Sequence, residues 1–437
     1  MEDIISRLMQ NIDKCLLAKL ERNCEECKHH DEYTLRKDIL IAEFPIAFKL
    51  LGEVDLRHVP SASDVLSSLL IMYEELRLDA VWNPEVSKEY AKQLNNFLEL
   101  SCDITFDNML KVERPFYESQ EVFDCCMEKL HRRLTPENFK RYPATIDVYC
   151  KLIRNIKVTV NPQQTLPASL LLIDDYMTVH KTKGLKSCAA ILQSMASNGF
   201  HNGNYYEVVY TSLKSSLQVQ YVDVNKLSHI CLMELIRLLP AQEKTVKSGD
   251  LFVMTLEQLY QESNLLRKAN NFRFSKKLIE INGVNCVNRK KAFCTIVCDN
   301  LDTCSNVDVA QMLLMSILEV NKIIKWIKHC WCVWNVRLPS DQHLLSLLLK
   351  VMYINIHDEQ LSKKLQEILE TLICISTKED QQQILGSLET TEKFNLKCKL
   401  SNNFHTLTTS LKILLQVRCP LGLHRSTRVL LQMKMTA

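Results

Sequence analysis

The sequence predicts an all-α fold, a HEAT/armadillo-like α-solenoid of stacked antiparallel helix pairs, and three observations carry that expectation. Glycine and proline number only 8 and 11 in 437 residues, against average usage of about 7% and 5%. Sheets and tight hairpins need glycine at positive φ, so this scarcity selects helices joined by short turns. Apolar residues recur at helical spacing almost throughout, as in Tyr206, Val209, Leu213 and Leu217 or Leu361, Leu365, Ile368 and Leu372. The pattern reads as about eighteen helices of roughly 12–18 residues, with helix–turn–helix units recurring every 35–45 residues or so. A single core stops growing at about 250–300 residues, so this chain requires two domains or an extended array. An amphipathic pair cannot bury its apolar stripe alone, and stacking on its neighbours supplies the core.

Taken in order, Met1–Leu20 is amphipathic through Ile4, Leu8, Ile12, Leu16 and Leu20. It opens a helical region, 1–110, expected to cap the solenoid. Residues 111–390 form the HEAT-like repeat core, with most glycines and prolines falling between helices. Gly184 falls inside a helical pattern, where close packing against a neighbouring helix would explain it. The remainder, 391–437, is a basic tail with one further helix at Leu407–Val417.

The most informative segment is Leu166-Pro167-Ala168-Ser169-Leu170-Leu171-Leu172-Ile173-Asp174-Asp175-Tyr176, running on to Lys181, Lys183 and Gly184. Pro167 can open a helix, because its missing N–H would have had no partner in the first turn. Asp174 and Asp175 can accept bonds from the free N–H groups of the next helix, where negative charge meets the positive dipole end. Proline, apolar helix, aspartate, then valine and basic residues is the turn grammar of a HEAT-type pair. Read instead as a general acid/base pair, adjacent aspartates would diverge in direction, so capping is the favoured reading.

Charge is uneven. The chain has a formal net charge of +3, yet from Lys393 onward there are eight Lys or Arg and no Asp or Glu. The first 392 residues hold 46 basic and 51 acidic residues, a net of −5. A basic tail can meet RNA, acidic lipid or an acidic partner, but most such tails are solvated, and nucleic acid is not the expected partner. No apolar run reaches the roughly 18 residues that span a bilayer. The acidic N-terminal helix resembles neither a signal nor a transit peptide, so a cytoplasmic and nuclear location without membrane attachment is expected. The eighteen cysteines sit mostly at apolar positions of helical segments, among them Cys150, Cys188, Cys231 and Cys374, and read as reduced, buried thiols.

Cys24-Glu25-Glu26-Cys27-Lys28-His29-His30 is the sharpest metal candidate, through Cys24, Cys27 and His29. Structural zinc sites usually bring together two separated ligand pairs, and no second pair stands at a familiar spacing, so a polar loop is the simpler reading. Cys294 and Cys298, one helical turn apart, read as small core residues. Trp326, Trp331 and Trp334, interleaved with Lys and Arg, suit either a core or a partner-binding face. There is no Gly-rich phosphate loop, GxSxG elbow, HExxH or kinase signature, so neither enzymatic activity nor a cofactor is expected.

The LPASLLLIDDY stretch followed by KTKG resembles the signature region of the Tel-two-interacting protein two family. Further matches keep the same order: Val81-Trp82-Asn83-Pro84, Leu134-Thr135-Pro136-Glu137-Asn138-Phe139-Lys140, Leu238–Thr245, and His329-Cys330-Trp331. The resemblance covers roughly residues 80–355. Cys332 replaces the proline of the family's Trp-Pro-Arg turn, Ser263–Asn300 matches only by helical pattern, and the basic end has no counterpart. The resemblance implies a HEAT-like solenoid that binds the larger Tel-two-interacting protein one and, with Tel-two, forms the Triple-T (TTT) co-chaperone complex. That complex is linked to the ninety-kilodalton heat-shock chaperone. It supports the folding and abundance of phosphatidylinositol-3-kinase-related kinases of the TOR and ATM types. The residue-level alternative is a transport- or RNA-binding-type adaptor using the basic tail and the Trp-rich turn.

Overall fold

The structure, a computed structural model, describes residues 2–25, 29–60, 62–154, 158, 160–195, 200, 205–303, 308–321, 344–355, 358–375, 379–384 and 386. Among them helices dominate, no strand forms, and one isolated bridge joins Arg114 to Tyr117. No described helix is long and apolar enough to cross a membrane. The chain divides into two compact units, Met1–Pro240 and Ala241–Ala437, so the boundary expected near residue 110 falls inside the first unit.

The first unit opens with α1 (Glu2–Cys15), which places Glu2 and Asp3 at its positive end and Lys14 at its negative end. It buries Leu8, Ile12 and Cys15 and packs on α2 (Asp31–Gly52) and α3 (Ala62–Leu76). Every residue of α3 except Asp64 is buried, which marks it as a central helix. Its two glutamates are paired: Glu74 lies 2.5 Å from Lys151, and Glu75 lies 2.8 Å from Arg36. Arg36 also donates to the Cys15 carbonyl and to Asn83 Oδ1. Asn83 in turn donates to the carbonyls of Glu75 and Leu78. The Val81–Pro84 stretch thereby locks the end of α3, and neighbouring Trp82 packs against Leu17 and Ala144.

Beyond α4 (Val86–Cys102) and the short α5 (Phe106–Met109), three pairs stack in two layers. They are α6 (Ser119–His131) with α7 (Pro143–Arg154), α8 (Pro162–Asp174) with α9 (Thr178–Ser194), and α10 (Tyr205–Ser216) with α11 (Val222–Leu238). One layer runs α6, α8, α10 and the other α7, α9, α11, each helix touching the next in its layer and its own partner. Successive first-layer helices begin at Ser119, Pro162 and Tyr205, 43 residues apart each time, inside the expected period.

The second unit repeats the plan. One layer is α12 (Ala241–Gln261), α14 (Lys290–Thr303) and α16 (Leu344–Ile354); the other is α13 (Leu265–Asn282), α15 (Asp308–Asn321) and α17 (Glu359–Ile375). Asn264 caps α13 through bonds from the N–H groups of Leu266 and Arg267. Gly283, at φ 56°, ends the helix in a backbone region that favours glycine. The two-layer alternation of antiparallel pairs makes each unit an all-α solenoid.

Candidate functional site

The signature segment does not begin its helix where expected. α8 starts at Pro162, not Pro167, and Asn161 is its N-cap, its side-chain oxygen accepting from Gln163 N at 3.1 Å. Pro167 lies inside α8, where it removes the helical bond that the carbonyl four residues earlier would have accepted. The Asn-Pro dipeptide was the available signal, since Asn-Pro favours turn initiation.

The capping role expected for the paired aspartates is also corrected. α9 opens after Met177, which makes no side-chain cap, so Asp174 and Asp175 stand too far upstream to reach the first N–H groups. Asp174 instead accepts from Ser212 Oγ at 2.7 Å, joining α8 to α10. Asp175 is a buried acid whose two oxygens take different partners. Lys140 Nζ lies 2.8 Å from Oδ1, and His180 Nδ1 lies 2.5 Å from Oδ2.

Around this pair the remaining signature residues each make one specific link. Lys181 Nζ donates to the Ile173 carbonyl at 2.7 Å, satisfying a free acceptor at the C-terminus of α8. Lys183 forms an ion pair with Asp147 on α7. Gly184 brings α9 against α8 so closely that a Cβ there would lie 2.7 Å from the Ser169 carbonyl oxygen and 2.8 Å from Ile173 N. Tyr176 is 71% exposed, yet its hydroxyl donates to Glu25 Oε2 at 2.6 Å. Its ring carries the Lys140 ammonium 3.9 Å from the centroid.

Glu25 arrives from the connection between α1 and α2. Backbone bonds from Leu20 N to the Arg141 carbonyl and from Cys24 N to the Lys140 carbonyl, both 3.0 Å, lay that loop beside the 139–141 turn. Glu25 Oε1 then sits 3.3 Å from Lys140 and 3.9 Å from His180. Phe139 packs edge-on against the His180 ring at 5.8 Å. One ligand atom each of Cys24, Glu25 and His180 falls within 4.8 Å of the others.

The electrostatics follow from this crowding. Burial pushes the Asp175 carboxyl up, but the bonds from Lys140 and His180 outweigh it and hold the group below its ordinary 3.8. Burial lowers the Lys140 ammonium, and the hydrogen bond and charge of Asp175 more than restore it, leaving it above 10.5. Burial first, then the Glu25 charge, raise the Cys24 thiol above 9.0, so the free side chain is a thiol and not an activated nucleophile.

Of the sequence-level metal candidates, Cys24 joins the cluster, His29 is exposed and is not among the converging ligands, and Cys27 lies outside the described residues. Trp326, Trp331 and Trp334 also lie outside them. On α14, Cys298 is buried and Cys294 partly buried, and the buried cysteines 15, 102, 126, 150, 188 and 231 are all free thiols. Sequence reasoning did not single out Glu25, Lys140 or His180. Two hints were there: Lys140 closes one of the stretches that carry the family resemblance, and Glu25 lies inside the Cys24–His30 segment.

No family model matches the chain, and no curated protein matches it. Among solved structures, one similarity is to a chain of the structure describing how Kap95p binding induces the switch loops of RanGDP to adopt the GTP-bound conformation. It covers 88% of this chain at 12% identity, with a TM-score of 0.47. The chain spans about half of that one, 53% of its length. A second similarity, to an engineered protein, covers 95% of this chain and 98% of the other at 10% identity, with a TM-score of 0.38. The packing of the helices themselves defines the class: a helical-repeat protein of the α-solenoid type.

Proposed function

We propose that the chain is a non-catalytic scaffold subunit of the Triple-T co-chaperone complex, of the kind represented by the Tel-two-interacting protein two family. In this reading it binds Tel-two-interacting protein one and Tel-two in the cytoplasm and nucleus. Through them it serves the ninety-kilodalton heat-shock chaperone and its phosphatidylinositol-3-kinase-related clients, and hence growth and DNA-damage signalling. One observation carries it: two stretches that resemble the family, Leu134–Lys140 and Leu166–Gly184, meet at the Lys140–Asp175 ion pair. Two of the five stretches that carry the resemblance therefore lock one another in place. The raised Cys24 thiol and the fully engaged Asp175 suit a structural node better than a catalytic one.

Affinity purification of the tagged full chain tests the proposal. It should recover two larger helical-repeat subunits and kinases of the named type, and co-expression with the larger partner should raise soluble yield. Recovery of neither subunit under gentle extraction overturns it.

A further inference from the structure

We infer that Cys24, Glu25 and His180 form a binding site for a single zinc(II) ion, with Asp175 orienting the histidine from behind. The three donors come from two elements 156 positions apart in the chain, yet their ligand atoms already lie within 4.8 Å of one another. Tetrahedral zinc with bonds of about 2.0–2.3 Å holds its ligand atoms a little closer than that, within reach of small side-chain rotations. A thiolate, an imidazole and a carboxylate form a borderline donor set that suits zinc over magnesium or calcium, which take oxygen.

Three further observations point to a cation. Glu25 Oε1 is buried, and its charged neighbour at 3.3 Å is the Lys140 ammonium, so this oxygen already draws a cation. His180 Nδ1, the nitrogen 3.9 Å from Glu25, is held at 2.5 Å by Asp175, so Nε2 is the nitrogen left for the ion, and a carboxylate at Nδ1 fixes that tautomer and raises its basicity. The charges lean negative as well: the carboxylates of Glu25 and Asp175 share the Lys140 ammonium, and Lys183 is the other cation that acts on Cys24. Lys140 stands between the two carboxylates, 3.3 Å from Glu25 and 2.8 Å from Asp175, and partly neutralises the site when zinc is absent. Binding exchanges the Cys24 proton for the metal, so each zinc bound releases one proton, and a water completes the fourth position. The ion would fasten the loop between α1 and α2 to α9. This inference does not depend on the partners proposed above.

The test uses the full chain, stripped with a chelator, dialysed, and titrated with cobalt(II) and then zinc(II). One equivalent of cobalt should produce thiolate-to-metal charge-transfer absorption with tetrahedral visible bands, and zinc should abolish both. Cys24→Ser should lose the charge-transfer band and one-equivalent binding while its metal-free helical signal stays that of wild type. Glu25→Gln provides a second variant that keeps the thiol and should weaken zinc binding. Asp175→Asn should weaken it about 10–100-fold, the usual effect of removing such a histidine partner. Cys125→Ser, at a partly exposed thiol on α6, should change nothing. Absence of saturable one-equivalent binding in wild type overturns the inference, as does binding that survives both Cys24→Ser and Glu25→Gln.

Discussion

At Gly184 a single methyl group decides how closely two helices approach. Its hypothetical Cβ would meet backbone atoms of Ser169 and Ile173 at 2.7 and 2.8 Å, and helical backbone has little room to step aside. Gly184→Ala should therefore destabilise the chain by about 1–3 kcal/mol, the range for overpacking, although alanine is the better helix former. The midpoint of urea unfolding measures it; an unchanged or higher midpoint would contradict the packing described. Asp175 predicts a pH dependence. Its pKa is depressed in the folded chain, so its contribution is complete above the unfolded value and is lost as pH falls through the folded one. Asp175→Asn should lower the melting temperature at neutral pH, and the gap from wild type should narrow below about pH 4. A gap that stays constant from neutral pH into that range would show that the ion pair contributes nothing.

Between elements, single polar contacts tie neighbouring helices. Tyr149 on α7 is wholly buried, and its hydroxyl lies 2.6 Å from the Thr165 carbonyl and 2.7 Å from Ser169 Oγ on α8. Tyr149→Phe should cost about 1–3 kcal/mol, because the Thr165 carbonyl loses this donor and the Ser169 hydroxyl loses its acceptor in the interior. Arg36→Ala should be more damaging, about 3–5 kcal/mol, since it leaves Glu75 charged and unpaired in the interior. Denaturant midpoints for both variants would check that order. The helices themselves were legible from apolar periodicity, because each must turn one stripe toward its neighbours. The start of α8 was misread because Pro167 is tolerated inside the helix, while Asn161-Pro162 supplies cap and first residue. The aspartates were misread because capping is a local rule, whereas Asp175 answers to Lys140, 35 positions earlier. The meeting of Cys24 with His180 has no trace in local spacing; the backbone bonds of the first loop to the 139–141 turn create it.

At the scale of the whole molecule, the division after Pro240 falls within Leu238–Thr245, one of the stretches that resemble the family. Each unit has its own two-layer core, so residues 1–240 expressed alone should give one cooperative thermal transition with near-uniform helical content. Circular dichroism and calorimetry would detect the alternative, a broad melt without an enthalpy peak. The stacked-pair architecture was legible before any coordinates, because glycine scarcity and a recurring helical period leave few other ways to bury so many stripes. The link from Glu25 to Tyr176 spans 151 positions and has a consequence in time. At about 5–20 residues per second, the N-terminal loop leaves the ribosome roughly 8–30 s before the turn that it fastens. During that interval the Cys24 thiol and the Glu25 carboxylate have no partner from α9, and the nascent chain is open to oxidation or capture at its first loop. Synthesis of the α8–α9 turn supplies the missing partners, so the first loop can fasten to Tyr176 and His180 only after that turn has been made.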